Sequence, residues 1–198
     1  MCRLVRILFI AAVALSAAAP SAGATPTKKL DAQLEALWTA VLQTPSAQNS
    51  FGTGGEAFGC WSLDRTVAPF GPTGVSSCTV KPGTRILLAA NSVECSTFEG
   101  NGTTDAELRT CARHGDLQSA PPVTVDGRAV QVRGVETALL EIVLPADNLF
   151  GLPAGTEGLS VAHGWVALLN PLTPGSHEIV ITIDSQTITT TIVVAPGG

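Results

Sequence analysis

The sequence predicts a mainly β protein: a single antiparallel β-sandwich, Ig-like or jelly-roll-like, with an N-terminal helix and a short disulfide-pinned helix. Apolar and polar residues alternate through the C-terminal third, a pattern typical of strands with one buried face. Turn signals such as Asp-Gly, Asn-Pro and Pro-Gly recur about every ten residues, as they do in antiparallel sandwiches. Four cysteines follow a predicted export leader, which indicates a disulfide framework.

The first 24 residues have the three parts of a signal peptide. Arg3 and Arg6 precede an apolar run over 7–19, and Ala22-Gly23-Ala24 supplies the small residues of a cleavage site. The apolar run is shorter than the roughly 20 residues that span a bilayer. We therefore expect a secreted protein, extracellular or in the cell envelope, with no membrane span after signal cleavage.

Composition divides the rest of the 198-residue chain into three parts. Residues 25–45 are the predicted N-terminal helix, 46–77 are a Gly/Ser/Pro-rich loop region, and 78–198 are the predicted β-sandwich domain. The formal net charge is -5, and no lysine or arginine follows Arg133. Because nucleic-acid binding needs basic side chains to neutralise phosphates, the sequence argues against a nucleic-acid partner.

Two helices are predicted from local signals. Apolar residues recur at three- and four-residue steps over 28–43, which gives one apolar stripe, and Pro45 blocks continuation. The second helix is expected over 104–114. There Thr104 and Glu107 have the spacing of a capping box, and Gly115 follows the last residue.

The strand pattern is clearest around two turns. Asp126-Gly127 is a hairpin-type turn between apolar segments. Near the C-terminus, two segments alternate so that each presents one apolar face: Ile179, Ile181 and Ile183 in the first, and Ile188, Thr190, Ile192 and Val194 in the second. We expect these last segments to pair as neighbouring antiparallel strands.

The four cysteines of the mature chain, Cys60, Cys78, Cys95 and Cys111, allow three disulfide pairings. We favour Cys60–Cys78 and Cys95–Cys111 because each closes a short loop, worth about 3 kcal/mol in the chain-entropy account. A metal site is the weaker alternative, since the C-x2-C spacing and nearby histidines of zinc sites are missing from the sequence.

Two residues are the candidate binding positions. Trp61 stands beside Cys60 in the predicted loop region, whereas Trp38 and Trp165 fall on a helix stripe and in an apolar strand, where core packing is expected. His163 is the second candidate, and a concave site joining Trp61 or His163 to acids would support a ligand role.

The sequence contains no motif that specifies a reaction. The three histidines form no metal-ligand pair, and neither a G-x-S-x-G nor an S-x-x-K motif is present. Carboxylate pairs for glycoside hydrolysis can be nominated, Glu94 with Glu99 or Asp147 with Glu157, but nothing in the sequence selects either pair. We therefore assign no catalytic residue, cofactor or metal.

Several segments resemble a family of uncharacterised secreted bacterial proteins. The resemblance covers roughly residues 75–194, and its segments are Cys78-Thr79-Val80-Lys81-Pro82-Gly83, Asn91, Cys95-Ser96, Thr103-Thr104-x-Ala106-Glu107-Leu108-Arg109-x-Cys111-Ala112, Leu144-Pro145-x-x-Asn148, Val161-Ala162-x-Gly164-Trp165 and Leu172-x-Pro174-Gly175-x-His177-x-Ile179. It implies no established activity. His163 stands where the resemblance implies an acid.

Three functions are compatible with the sequence. The leading expectation is a non-enzymatic secreted or cell-envelope binding module for a carbohydrate or a protein ligand. The first alternative is a secreted hydrolase whose site is assembled only in the fold. The second is a structural or assembly protein that docks through its N-terminal helix.

Overall fold

A computed structural model describes residues 27–196 of the chain. The predicted signal peptide, 1–24, lies outside the described residues. Within 27–196, no helix has the length and apolar character needed to cross a membrane.

The two predicted helices are present. The first, α1 (Thr27–Gln43), buries its apolar stripe almost completely, with Leu34 and Leu37 fully buried. The second, α2 (Asp105–Gly115), starts at the predicted capping box. The backbone N–H of Glu107 donates to the Thr104 hydroxyl, and the Glu107 carboxylate accepts from the backbone N–H of Thr104.

Eleven strands complete this part of the chain. They are β1 (Cys60–Leu63), β2 (Thr66–Pro69), β3 (Ser77–Val80), β4 (Arg85–Ser96), β5 (Val123–Val125), β6 (Arg128–Ala129), β7 (Arg133–Glu136), β8 (Leu140–Val143), β9 (Glu157–Leu169), β10 (Gly175–Ile183) and β11 (Gln186–Val194).

The strands form two sheets, consistent with a β-sandwich. The first sheet has the order β1-β2-β4-β9-β7, with β8 also paired to β9, and the second has the order β3-β11-β10-β5-β6. The expected antiparallel pairing is wrong for two contacts, since β2 runs parallel to β4 and β3 runs parallel to β11. The reason for the first of these is that β3, which lies between β2 and β4 in the chain, belongs to the second sheet. The chain therefore crosses to the second sheet and back before β4 pairs with β2, and the two strands run in the same direction.

Three hydrophobic clusters hold these layers together. One lies between α1 and the first sheet, and a second contains residues of both sheets, such as Ile86 and Ile179. The third lies under α2, where Leu108 and Ala112 pack against Cys95 and Val161. The first sheet therefore shares one hydrophobic cluster with α1, one with residues of the second sheet and one with α2.

The region 46–77 is more ordered than its composition predicts. It contains β1 and β2, which form an antiparallel hairpin in which Leu63 pairs with Thr66. Asp64 in the turn has φ 55°, a conformation that aspartate tolerates better than most residues. The strands are only four residues long and follow a glycine-rich stretch, so their alternation is too short to be recognised in the sequence.

Both favoured disulfides are confirmed. Cys60–Cys78 joins β1 of the first sheet to β3 of the second, and Cys95–Cys111 joins β4 to α2. Two disulfides indicate an oxidising, non-cytoplasmic compartment.

Candidate functional site

The candidate site is built around His163, in the middle of β9. Its Nδ1 lies 2.6 Å from Oδ2 of Asp116, the residue that follows α2. The side chain of Asp116 is fully buried, and that of His163 is 19 % exposed. The fold thus brings the sequence candidate His163 to an acid 47 positions away in the chain.

Asp116 is held by three hydrogen bonds. Its Oδ2 accepts from His163, and its Oδ1 accepts from the amide of Asn91 on β4 and from the backbone N–H of Leu117. Its own backbone N–H caps α2 by donating to the carbonyl of Ala112. A carboxylate fixed in this way sets both the orientation of the imidazole and its tautomer, with the proton on Nδ1.

The second nitrogen of His163 is the open side of the ring. Among residues 27–196, Nε2 has no hydrogen-bond partner, so the neutral ring presents an acceptor there. The residue beside it is Gly134 on β7, which is exposed. A Cβ atom at position 134 would lie 3.5 Å from Nε2. The missing side chain therefore leaves this nitrogen accessible.

Trp165 lies two residues further along β9, on the same face of the sheet. Its indole Nε1 donates to the carbonyl of Leu117 at 2.9 Å, which fixes the ring. A Cβ at Gly134 would also lie 3.4 Å from Cη2 and Cζ3, so the far end of the indole borders the same opening. The His163 and Trp165 rings are nearly perpendicular, with centroids 6.3 Å apart.

These four residues, Asp116, Gly134, His163 and Trp165, are called the His163 site below. The site combines a half-buried aromatic surface with one hydrogen-bond acceptor whose direction is fixed. An apolar ring or C–H surface can pack on the indole while a hydroxyl or N–H group donates to Nε2. This is the chemistry of binding a polar ring-shaped ligand.

Trp61, the other candidate binding residue, is not part of this site, and its expected place in a loop is wrong. Trp61 lies in β1 and is only 6 % exposed. Its Nε1 donates to the carbonyl of Phe70, which satisfies its polar group inside the core. The Gly/Ser/Pro-rich composition of 46–77 led to the loop interpretation, whereas this part of the region forms β1.

The hydroxyl of Ser92 contacts His163 at its backbone and not at its ring. Its Oγ accepts from Nε1 of Trp38 and donates to the carbonyl oxygen of His163, both at 2.8 Å. The hydroxyl therefore joins α1, β4 and β9 and is not directed at the imidazole. In the described part of the chain, no serine hydroxyl bonds to the His163 ring.

The two nominated carboxylate pairs differ. Asp147 is engaged by the distant N-terminal part of the chain, where its Oδ2 accepts from the backbone N–H of Ala47. Glu94 on β4 is half-buried, and burial raises its pKa to about 7. The Ser160 and Ser96 hydroxyls oppose this rise in pKa, and the charge of Glu99 adds to it. Burial also raises the pKa of Glu99.

A second histidine–aspartate pair lies at the edge of the second sheet. His177 at the start of β10 has Nδ1 2.7 Å from Oδ2 of Asp126 and Nε2 2.8 Å from the carbonyl oxygen of Thr173. Both bonds raise the pKa of His177, and the bond from His177 is the largest cause that lowers the pKa of Asp126. Both ring nitrogens therefore have acceptors.

Sequence reasoning missed three of the four residues of the His163 site. Asp116 was not singled out, although its position just after a capped helix places its side chain at a fixed point. Trp165 was assigned to the core, and only part of its ring is buried. Gly134 has no sequence signal, because its role depends on its pairing with Trp165 across the sheet.

Within residues 27–196, no group of three or more histidine, cysteine, aspartate or glutamate side chains is placed to hold a metal ion. Comparison with protein-family models, with curated proteins and with solved structures finds no match for this chain.

Proposed function

We propose that this protein is a secreted or cell-envelope binding module that takes a carbohydrate at the His163 site. The observation that carries the proposal is the opening at the exposed Gly134, where an unpartnered imidazole nitrogen and the end of a tryptophan ring lie side by side. A sugar ring has both complementary features, since its C–H face packs on an aromatic ring and its hydroxyls donate hydrogen bonds.

The rigidity of the site supports a binding role. Asp116 holds the imidazole through a buried carboxylate, and the carbonyl of Leu117 holds the indole. Because both rings are fixed before a ligand arrives, little side-chain entropy is lost on binding. Both rings also belong to β9, a strand in the interior of the first sheet.

The two disulfides support export, because such bonds persist outside the reducing cytosol. Export would bring the module into contact with extracellular or cell-envelope polysaccharides. The finer fold assignment, an Ig-like or jelly-roll-like sandwich, is part of the same proposal. It is supported by the two-sheet arrangement and by the hydrophobic cluster that both sheets share.

The decisive variant is Gly134→Val, which fills the opening without removing any group of the site. Binding of cello-, chito-, manno- and xylo-oligosaccharides is measured by isothermal titration calorimetry with the disulfides intact. We expect saturable binding of at least one class, its loss in Gly134→Val, and about fivefold weaker binding in His163→Ala, since one hydrogen bond contributes about 1 kcal/mol.

Ala129→Val is the matched control, because it adds similar bulk at an exposed strand position of the second sheet. It should bind as the wild type does. Binding that survives Gly134→Val would place the ligand elsewhere on the molecule. If no sugar in the panel binds, the carbohydrate proposal is wrong.

A secreted hydrolase is the second candidate, and one observation favours it. The pKa of Glu94, raised to about 7 by burial, lies in the range that suits a general acid at neutral pH. Release of nitrophenol from p-nitrophenyl glycosides by the wild type, abolished in Glu94→Gln, would support hydrolysis. Equal background rates in the two proteins would exclude Glu94 from that role.

Docking through the N-terminal helix has less structural support. The apolar stripe of α1 packs on the first sheet of its own chain, so this stripe is not free for a partner. The polar side of α1 remains the only face of the helix that a partner could contact. Loss of self-association on deleting residues 25–45 would be the evidence for that function.

A further inference from the structure

Oxygen-bearing side chains gather at the end of β4, away from the His163 site. Ser96 of β4 pairs directly with Ser160 of β9, and Glu94 precedes Ser96 by two residues on the same face. Oε1 of Glu94 accepts from Oγ of Ser160 at 2.5 Å. Glu99 follows in the turn after β4, close enough for its charge to act on Glu94. We call these four residues the β4 oxygen cluster.

Ser96 is the member that ordinary packing does not explain. It has no exposed surface, and its Oγ makes no hydrogen bond of normal geometry, although it lies close enough to the Glu94 carboxyl to lower the pKa of that group. Directly paired residues on neighbouring strands have their Cβ atoms about 5 Å apart, so the Ser96 and Ser160 hydroxyls border the same small space. A buried hydroxyl without a partner costs free energy, and this one faces a carboxyl group.

The charge around the cluster is uncompensated. Among residues 27–196, neither Glu94 nor Glu99 forms an ion pair with a basic side chain. The donor set consists of two carboxylates and two hydroxyls, with no nitrogen or sulfur. Glu94 is half-buried and Glu99 is exposed, so the cluster can be reached from solvent.

From this arrangement we infer that the β4 oxygen cluster binds a Ca²⁺ ion through the carboxylates of Glu94 and Glu99 and the hydroxyls of Ser96 and Ser160. All-oxygen donor sets select hard cations, and calcium accepts irregular geometry with water completing its shell. With only two carboxylates, the affinity belongs to the weak class of extracellular calcium modules, with Kd about 10⁻⁴–10⁻³ M.

Calorimetric titration of the full protein with calcium chloride at pH 8 tests the inference. We expect one saturable site per chain, a matching rise in Tm, and at least tenfold weaker binding in Glu94→Gln. Ser96→Ala should weaken binding severalfold with no change in net charge. Glu141→Gln removes the same charge from an exposed position on β8 and should bind as the wild type does.

Three outcomes would overturn the inference. The first is the absence of saturable binding up to about 10 mM calcium, well above the affinity class expected here. The second is equal weakening by Glu94→Gln and Glu141→Gln, which would indicate general attraction to an acidic protein. The third is unchanged affinity in Ser96→Ala. Circular dichroism of each variant before titration verifies that it is folded, and the Tm of Ser96→Ala without calcium gives a second reference.

Discussion

The two histidine–aspartate pairs use the same bond in two different settings. Nδ1 of His163 lies 2.6 Å from Asp116, and Nδ1 of His177 lies 2.7 Å from Asp126. The carboxylates differ in burial, since the Asp116 side chain is fully buried and that of Asp126 is 46 % exposed. The second nitrogens differ as well. His177 Nε2 meets the carbonyl of Thr173, and His163 Nε2 faces the opening at Gly134.

The difference separates a clamp from a binding position. An imidazole between a carboxylate and a carbonyl is satisfied only when both nitrogens carry protons, so His177 is held as a cation that ties the β5–β6 turn to the start of β10. An imidazole with one nitrogen fixed and the other free keeps one hydrogen bond for a ligand. The number of acceptors around the ring distinguishes the clamp from the binding position.

Removing the buried carboxylate should have the largest effect. Asp116→Ala leaves the donors of Asn91, Leu117 and His163 without their acceptor in a buried position. We expect the free energy of unfolding to fall by about 3 kcal/mol, measured by urea denaturation. Asp126→Asn is the comparison variant. Because the Asp126 side chain is 46 % exposed, the free energy of unfolding of this variant should fall by less than about 1 kcal/mol. Equal losses would mean that burial does not distinguish the pairs.

The clamp at His177 should respond to pH. Its pKa is raised in the folded state, so its stabilisation is fully present below the unfolded value of about 6.5 and is lost as pH rises through the folded pKa. His177→Gln should cost about 1 kcal/mol at pH 6, and its deficit should disappear at high pH. Urea denaturation across this pH range measures both. A deficit independent of pH would show that the imidazole is not held as a cation.

The smallest effect on stability is expected at the opening beside His163. Gly134 has an ordinary backbone conformation, and a Cβ there makes contacts of 3.4 Å or longer, so Gly134→Val should change stability by no more than about 0.5 kcal/mol. Thermal unfolding provides the measurement. A large destabilisation would mean that the opening is part of the packed core. Weaker sugar binding by Gly134→Val would then reflect disturbed packing and not a blocked binding site.

Local patterns in the sequence predicted the local parts of the fold. The stripe of α1, the capping box of α2, the Asp126-Gly127 turn and the β10–β11 pair each depend on residues close together in the chain. The two disulfides also close short loops. The parallel pairs β2–β4 and β3–β11 could not be predicted this way, because strand order depends on which sheet each segment joins.

The candidate site was predictable only in part, for the same reason. His163 was a candidate in the sequence, at a position where the family resemblance implies an acid, but its partner Asp116 follows α2 and reaches it through tertiary packing. Trp61 was expected in a loop and is buried in a strand, whereas Trp165 packs against the core as expected but is only partly buried. The Gly/Ser/Pro-rich composition of 46–77 suggested a loop for Trp61. For Trp165, the apolar sequence around it gave no sign of Gly134 on the neighbouring strand.

The length of β4 and β9 has a consequence for both proposed ligands. These two strands contribute residues to all three hydrophobic clusters, so neither can detach while the remaining layers stay packed. Their amide hydrogens should then exchange with solvent only in molecules that have unfolded completely. The proposed sugar and calcium sites would therefore lie on rigid strands, and binding would not require a prior conformational change.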